Sequence, residues 1–133
     1  MALLEFRFFA NALGMCTSML AIVPNDAPPA DGWPVFYLLH GLSDDHSIWL
    51  RRSNIERYLD GVPLVCVMPT THRGWYTDSA SPPGLAYEKH IMEDVRGTIE
   101  AEISGDVLLG EQSQRRGAGA GVGGGEAGRE IEA

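Results

Sequence analysis

The sequence predicts an α/β fold: an antiparallel edge hairpin, then parallel strands with flanking helices. Three observations predict it. Residues 35–39 and 64–68 are short uninterrupted apolar runs, the pattern of strands buried on both faces rather than one. Each run is followed by a polar stretch and then by apolar residues at helical spacing, the strand–helix alternation of α/β proteins. The chain opens on two strand-like segments separated by a turn, which reads as a hairpin.

Residues 3–10 alternate imperfectly, with Leu4, Phe6 and Phe8 on one side and Glu5 and Arg7 on the other, the period of a half-buried strand. Residues 11–14 read as a turn in which Gly14 takes positive φ, and residues 15–23 as the second strand. Residues 24–34 hold Asn25, Asp26, Pro28, Pro29, Asp31 and Gly32 and form a loop. The third strand is 35–39. Residues 44–61 begin with Asp and Ser as N-cap candidates and end at Gly61. Ile48, Trp49, Ile55, Tyr58 and Leu59 give one apolar face, so a single amphipathic helix is expected, with a break near Ser53-Asn54 as the alternative. The fourth strand is 64–68, between Pro63 and Pro69. Residues 70–84 are a long loop at a strand's carboxyl end, where function concentrates. Residues 85–103 read as a helix with Tyr87, Ile91, Val95 and Ile99 along one stripe. From residue 105 the composition shifts to Gly, Arg and Glu. The Gly/Ala tract at 117–125 has too little apolar surface to offset its ordering entropy, so disorder is expected there. The organisation is therefore a partial α/β domain over 1–104 and a Gly-rich tail over 105–133.

The chain has 133 residues, enough for one modest domain, and its 44% hydrophobic and 21% charged content is ordinary for a globular protein. A net charge of −8 argues against a nucleic-acid partner, which calls for a basic face. No apolar stretch is long enough to span a membrane. Residues 13–23 are a poor signal peptide, because Glu5 precedes the run, Thr17 and Ser18 interrupt it, and no small-residue cleavage site precedes Pro24. A cytoplasmic location is the expectation. Cys16 and Cys66 each lie in an apolar run and are expected as buried structural thiols.

The junction His40-Gly41-Leu42 is the strongest chemical signal. It ends a buried strand, where open α/β sheets place their ligand sites. A fixed backbone N–H there suits a developing oxyanion, and the Leu42 amide is the candidate donor, with Gly41 and His40 supporting the loop. A tight strand-to-helix turn with His40 as a satisfied core histidine explains the same residues, and spacing alone leaves both readings open. His72, Arg73, Trp75 and Tyr76 are candidates for a pocket wall, or for a surface loop pinned by Trp75. Asp44, Asp45 and His46 at a helix start read as capping rather than as metal ligands. His90 can meet Glu93 or Asp94 at helical spacing, and a solvated face with ordinary charge pairing is the expectation. A nucleophile is missing. Gly41-Leu42-Ser43 begins a G-x-S-x-G elbow, but position 45 is Asp. Ser113 has no flanking glycines. No His follows His90, whereas the acid and the His follow the Ser in serine hydrolases of this architecture.

Four stretches then carry a resemblance: FANALGMCTSMLAIVP at 9–24, PVFYLLHGLSDDHSIWLRRSNIERY at 34–58, VCVMPTTHRGWYTD at 65–78 and YEKHIMEDV at 87–95. In these the chain resembles the esterase D/S-formylglutathione hydrolase-like branch of the α/β-hydrolases, which includes tributyrin esterases. The resemblance implies the N-terminal part of an α/β-hydrolase sheet. It also implies ester or thioester hydrolysis through a serine acyl-enzyme, a small-molecule ester or thioester substrate, and no metal or cofactor. It favours the oxyanion reading of Leu42 and a pocket role for residues 72–76. Family members continue into a G-x-S-x-G elbow soon after the segment matching 87–95. Here the match fades near Thr98, so a truncated product, or a frame shift between Thr98 and Gly105, is expected, and another reading frame downstream of Thr98 should encode the elbow. The nucleophile Ser and the triad Asp and His are then absent, and the chain alone is expected to be inactive. The alternatives are a non-catalytic interaction module, an unstable fragment, or an acyltransferase of the same family.

Overall fold

The computed structural model describes residues 1–81 and 84–103; the Gly-rich tail expected at 105–133 lies outside the described residues. Strands β1 (Ala2–Ala10) and β2 (Met15–Val23) form the hairpin, paired antiparallel along their whole length from Ala2 opposite Val23 to Ala10 opposite Met15. Gly14 closes the turn at φ 65°, a conformation that costs glycine nothing because it has no Cβ. Strand β3 (Val35–Tyr37) and strand β4 (Val65–Pro69) pair parallel, and β4 pairs antiparallel with β2. The described sheet has the order β1-β2-β4-β3. β4, expected in 64–68, thus sits inside the sheet with all five of its residues buried.

The central strands owe their unbroken apolar character to layers on both sides. Met19, Ala21, Val65 and Val67 point to one face, where they pack with Val95 and Ile99. Leu20, Ile22, Cys66 and Met68 point to the other, against Trp49, Leu50, Ile55 and Leu59. Successive side chains alternate between faces, so a strand with apolar residues at every position needs a helix on each side.

In one of those layers the alternative reading, a break near Ser53-Asn54, is the one that forms. Residues 44–61 form two short helices, α1 (Ile48–Arg52) and α2 (Ile55–Leu59), broken at Ser53-Asn54. The Ser53 hydroxyl donates to the Trp49 carbonyl, and the backbone at Ser53 is extended. The break resets the helical phase: Leu50 joins the core, whereas Tyr58 is 69% exposed. Among the described residues no side chain caps the start of α1 itself; Asp45 holds the turn that leads into it, accepting hydrogen bonds from the Ser47 N–H and hydroxyl at 2.8 and 2.6 Å. The Ser47 N–H and hydroxyl bonds are also the main cause holding the Asp45 carboxyl below its usual range.

The second layer is one helical run in three parts: α3 (Tyr87–Lys89), a π-helical segment (His90–Val95) and α4 (Arg96–Glu102). The Arg96 N–H reaches back to the Ile91 carbonyl, the five-residue bond of a π turn. The expected stripe holds, with Tyr87, Val95 and Ile99 buried and Ile91 packed beside them. His90, however, is fully buried. No helix among the described residues is long and apolar enough to cross a membrane.

The two thiols correct one expectation. Both are free, but Cys16 is exposed beside the hairpin turn and only Cys66 is buried. A strand-end position opposite Phe9 on the outer hairpin is not covered by either helix layer. Burial pushes the Cys66 thiol up to about 11. At pH 8 it then holds about a hundredfold less thiolate than an ordinary thiol. Ellman's reagent should therefore titrate one thiol, Cys16, in the native chain and two after denaturation. Rapid reaction of both in the native chain would contradict the packing of β4.

Candidate active site

The carboxyl ends of β3 and β4 lie side by side because the two strands are parallel. Two loops leave from there, one through His40-Gly41-Leu42 and one through Thr70-Thr71-His72. They are joined by a set of hydrogen bonds that fixes His40 from three directions. Its Nδ1–H donates to the Gly41 carbonyl at 2.6 Å, which makes Nε2 the acceptor. Nε2 accepts from the Thr71 N–H at 3.0 Å. The His40 carbonyl accepts from the Tyr76 hydroxyl at 2.5 Å. One residue earlier, the Trp49 indole N–H donates to the Leu39 carbonyl at 3.0 Å. His40 is buried, as the core-histidine reading requires, but Gly41 and Leu42 beside it are at the surface, and Leu42 is 51% exposed. Among the described residues the Leu42 N–H donates to no protein acceptor. A satisfied histidine and a surface amide with no acceptor occur together, so the two sequence readings of this turn are compatible.

Both loops hold backbone in the left-handed region. The non-glycine residues at positive φ are Ser43 (67°), His72 (48°), Trp75 (54°) and Tyr76 (58°), all within these loops. Side chains at such φ cost about 1–3 kcal/mol each and persist where surrounding contacts enforce them.

The other sequence candidates divide. His72 and Arg73 line an open groove of about 570 Å³ together with Gly74, Thr77, Ser79 and Tyr87. His72 Nδ1 lies 3.3 Å from the Tyr87 hydroxyl. Gly74 is required there, because a Cβ would lie 1.9 Å from the Tyr87 ring. Trp75 is 70% exposed, so it does not pin the loop by packing. Tyr76 turns the other way, with its ring 5.7 Å from that of His40. The structure thus joins Tyr76 to His40 and Leu42's loop, while His72 and Arg73 belong to a separate groove. Burial holds the Tyr76 hydroxyl above its usual pKa, so it stays a donor.

Asp44, Asp45 and His46 act as a helix start. Arg51 pairs with Asp44 at 2.7 Å, and His46 Nδ1 is 2.6 Å from the Thr70 hydroxyl oxygen. No group of three metal-ligating side chains occurs among the described residues. Thr70, Thr71 and Trp49 are site residues that the sequence does not mark as such. Their one signal is position, directly after an apolar strand or at the start of the helix that follows one.

His90 and Asp94 overturn the solvated-face reading. His90 Nδ1 donates to Asp94 Oδ2 at 3.2 Å, with His90 fully buried and the Asp94 side chain 8% exposed. Asp94 also accepts from the Asn11 and Ala12 N–H groups at 3.1 and 3.0 Å, tying the π turn to the hairpin. Phe8 stacks on His90 at 6.1 Å. An Asp-oriented imidazole has the form of a general base, but Nε2 is buried with no hydrogen-bond partner, and the Thr70 main chain faces the ring without closing a bond to it. No substrate reaches it there, so the pair is a structural clasp. Burial holds His90 below its usual pKa and outweighs Asp94, which acts in the opposite direction.

No protein-family model and no curated protein matches the chain. Solved structures do. It is similar to FphF, a fluorophosphonate-binding serine hydrolase of Staphylococcus aureus, with 26% identity and a TM-score of 0.64 over 75% of this chain and 40% of that one. It is similar to the S-formylglutathione hydrolase FrmB of the same organism, with 25% identity and a TM-score of 0.61 over 75% and 41%. An S-formylglutathione hydrolase from Agrobacterium tumefaciens, at 18% identity, supports the fold alone, with a TM-score of 0.66 over 76% and 44%. The chain spans less than half the length of these structures. A mixed sheet layered on both faces, ordered β1-β2-β4-β3, is the N-terminal part of an α/β-hydrolase fold. Within that fold, the chain resembles the S-formylglutathione hydrolase-like esterases.

Proposed function

We propose that the loop at His40-Gly41-Leu42 is the oxyanion side of a serine carboxylesterase or thioesterase site for short acyl esters or S-formylglutathione-like thioesters. One observation carries the reading. The Leu42 amide has no acceptor among the described residues, sits on an exposed residue at the carboxyl end of a parallel strand, and belongs to a loop held at Leu39 and His40. In ester hydrolysis a Ser oxygen attacks the acyl carbonyl and a His takes its proton. The carbonyl oxygen gains negative charge, and an amide already fixed in place stabilises it without reorganising. His72 and Arg73 line the neighbouring groove and are the candidate contacts to the leaving group.

This chain carries no G-x-S-x-G elbow and no His after His90. It therefore supplies the oxyanion donor without an attacking group, and the polypeptide alone does not form an acyl-enzyme. A fluorophosphonate probe should label FphF and leave the purified chain unlabelled. Stoichiometric labelling of a serine in this chain would overturn its inactivity.

A further inference from the structure

We infer that Tyr76 is a positioning residue that locks the His40–Leu42 loop in the geometry an oxyanion donor needs, rather than a contact to substrate. The inference rests on the proposed role of the Leu42 amide. Four observations lead to it. The Tyr76 hydroxyl is already committed to the His40 carbonyl, at 2.5 Å. Tyr76 is not among the residues lining the groove that holds His72 and Arg73. Its backbone and that of Trp75 are both in the left-handed region, a conformation two bulky side chains adopt only under constraint. That conformation aims the ring at His40 instead of at solvent, leaving Trp75 outside.

The chemistry explains why such a tie matters at this point. The His40 carbonyl precedes Gly41, whose lack of a Cβ leaves the loop free to reorient. The ring of His40, fixed by Thr71, donates to the Gly41 carbonyl and so holds the peptide plane that carries the Leu42 N–H, but it leaves the plane before it, between His40 and Gly41, to another anchor. A hydrogen bond to the His40 carbonyl fixes the peptide plane between His40 and Gly41, one residue before the Leu42 amide. The Trp49 indole does the same to the plane before it, through the Leu39 carbonyl. A donor held before charge develops is worth more than one that must be ordered in the transition state.

The test uses the full chain, labelled with 15N, and reads backbone order by NMR relaxation. In the native chain the amides of Gly41, Leu42 and Ser43 should be as ordered as the core, with order parameters near about 0.85. In Tyr76→Phe, which removes only the hydroxyl, they should fall to about 0.6 or below. The amides of Ala21 and Val67 in the core should not change. A merely structural role would lower thermal stability and leave loop order as it was. The inference is overturned if the loop is already disordered in the native chain, if Tyr76→Phe leaves it ordered, or if the variant unfolds, since the effect must stay in the loop. None of these readouts depends on turnover. A failed oxyanion role would leave the Tyr76→Phe loss of loop order as expected and appear only as equal activity of Leu42→Pro and Leu42→Ala in an esterase assembled from this chain and an elbow-bearing partner segment.

Discussion

Leu42→Pro should lower kcat by about 10²–10³ in an esterase assembled from residues 1–103 and the elbow-bearing remainder of a solved hydrolase of this fold, corresponding to about 2.7–4 kcal/mol of transition-state stabilisation. Proline removes one atom that matters here, the amide hydrogen, because the native Leu42 N–H donates to no acceptor among the described residues. Gly41 precedes it and readily takes the extended backbone that proline imposes on its neighbour. The loss should fall on kcat with KM nearly unchanged, since the oxyanion exists only after attack. Leu42→Ala keeps the amide and trims a side chain that is 51% exposed, so its activity should stay within about twofold of the parent. Equal activity in the proline and alanine variants would remove the amide from the mechanism.

The parts of this protein that sequence exposes are those fixed by local periodicity. The alternation in residues 3–10, the doubly apolar run at 64–68 and the stripe Tyr87, Ile91, Val95 and Ile99 each follow from which faces an element buries, and each is seen. The hidden parts depend on contacts between distant segments. Asp94 is 83 residues from Asn11, and its carboxylate binds that turn, so a helix position that reads as solvated is buried. Tyr76 and His40 meet across 36 residues. Nothing local distinguishes Tyr76 from His72 or Arg73, and only their contacts in the fold separate them into a loop anchor on the His40 carbonyl and a groove wall. Tyr58 falls off the apolar face because the helix stops and restarts at Ser53-Asn54, which breaks the spacing that would have placed it there.

Asp94→Ala should destabilise the fold by about 2–4 kcal/mol, read as a lower urea midpoint with an unchanged slope. The carboxylate accepts from the Asn11 N–H, the Ala12 N–H and His90 Nδ1, and the substitution removes all three hydrogen bonds while leaving the donors in place. The His90 Nδ1–H, on a fully buried ring, is then left without an acceptor, which costs more than its bond was worth, whereas the exposed Asn11 N–H can turn to water. Asp94→Asn keeps one acceptor oxygen and should lose about half as much. The same site predicts a pH dependence. Burial holds His90 below its usual 6.5, so the unfolded chain takes up a proton in a range where the folded chain does not. Stability is therefore complete above about pH 6.5 and falls as pH drops below it, because the unfolded state binds more protons. Asp94 partly opposes that shift, and removing it lowers the folded-state pKa further. The Asp94→Ala variant should lose stability more steeply with acid than the native chain. An identical or shallower slope between pH 6.5 and 5 would show that His90 is not the group responsible.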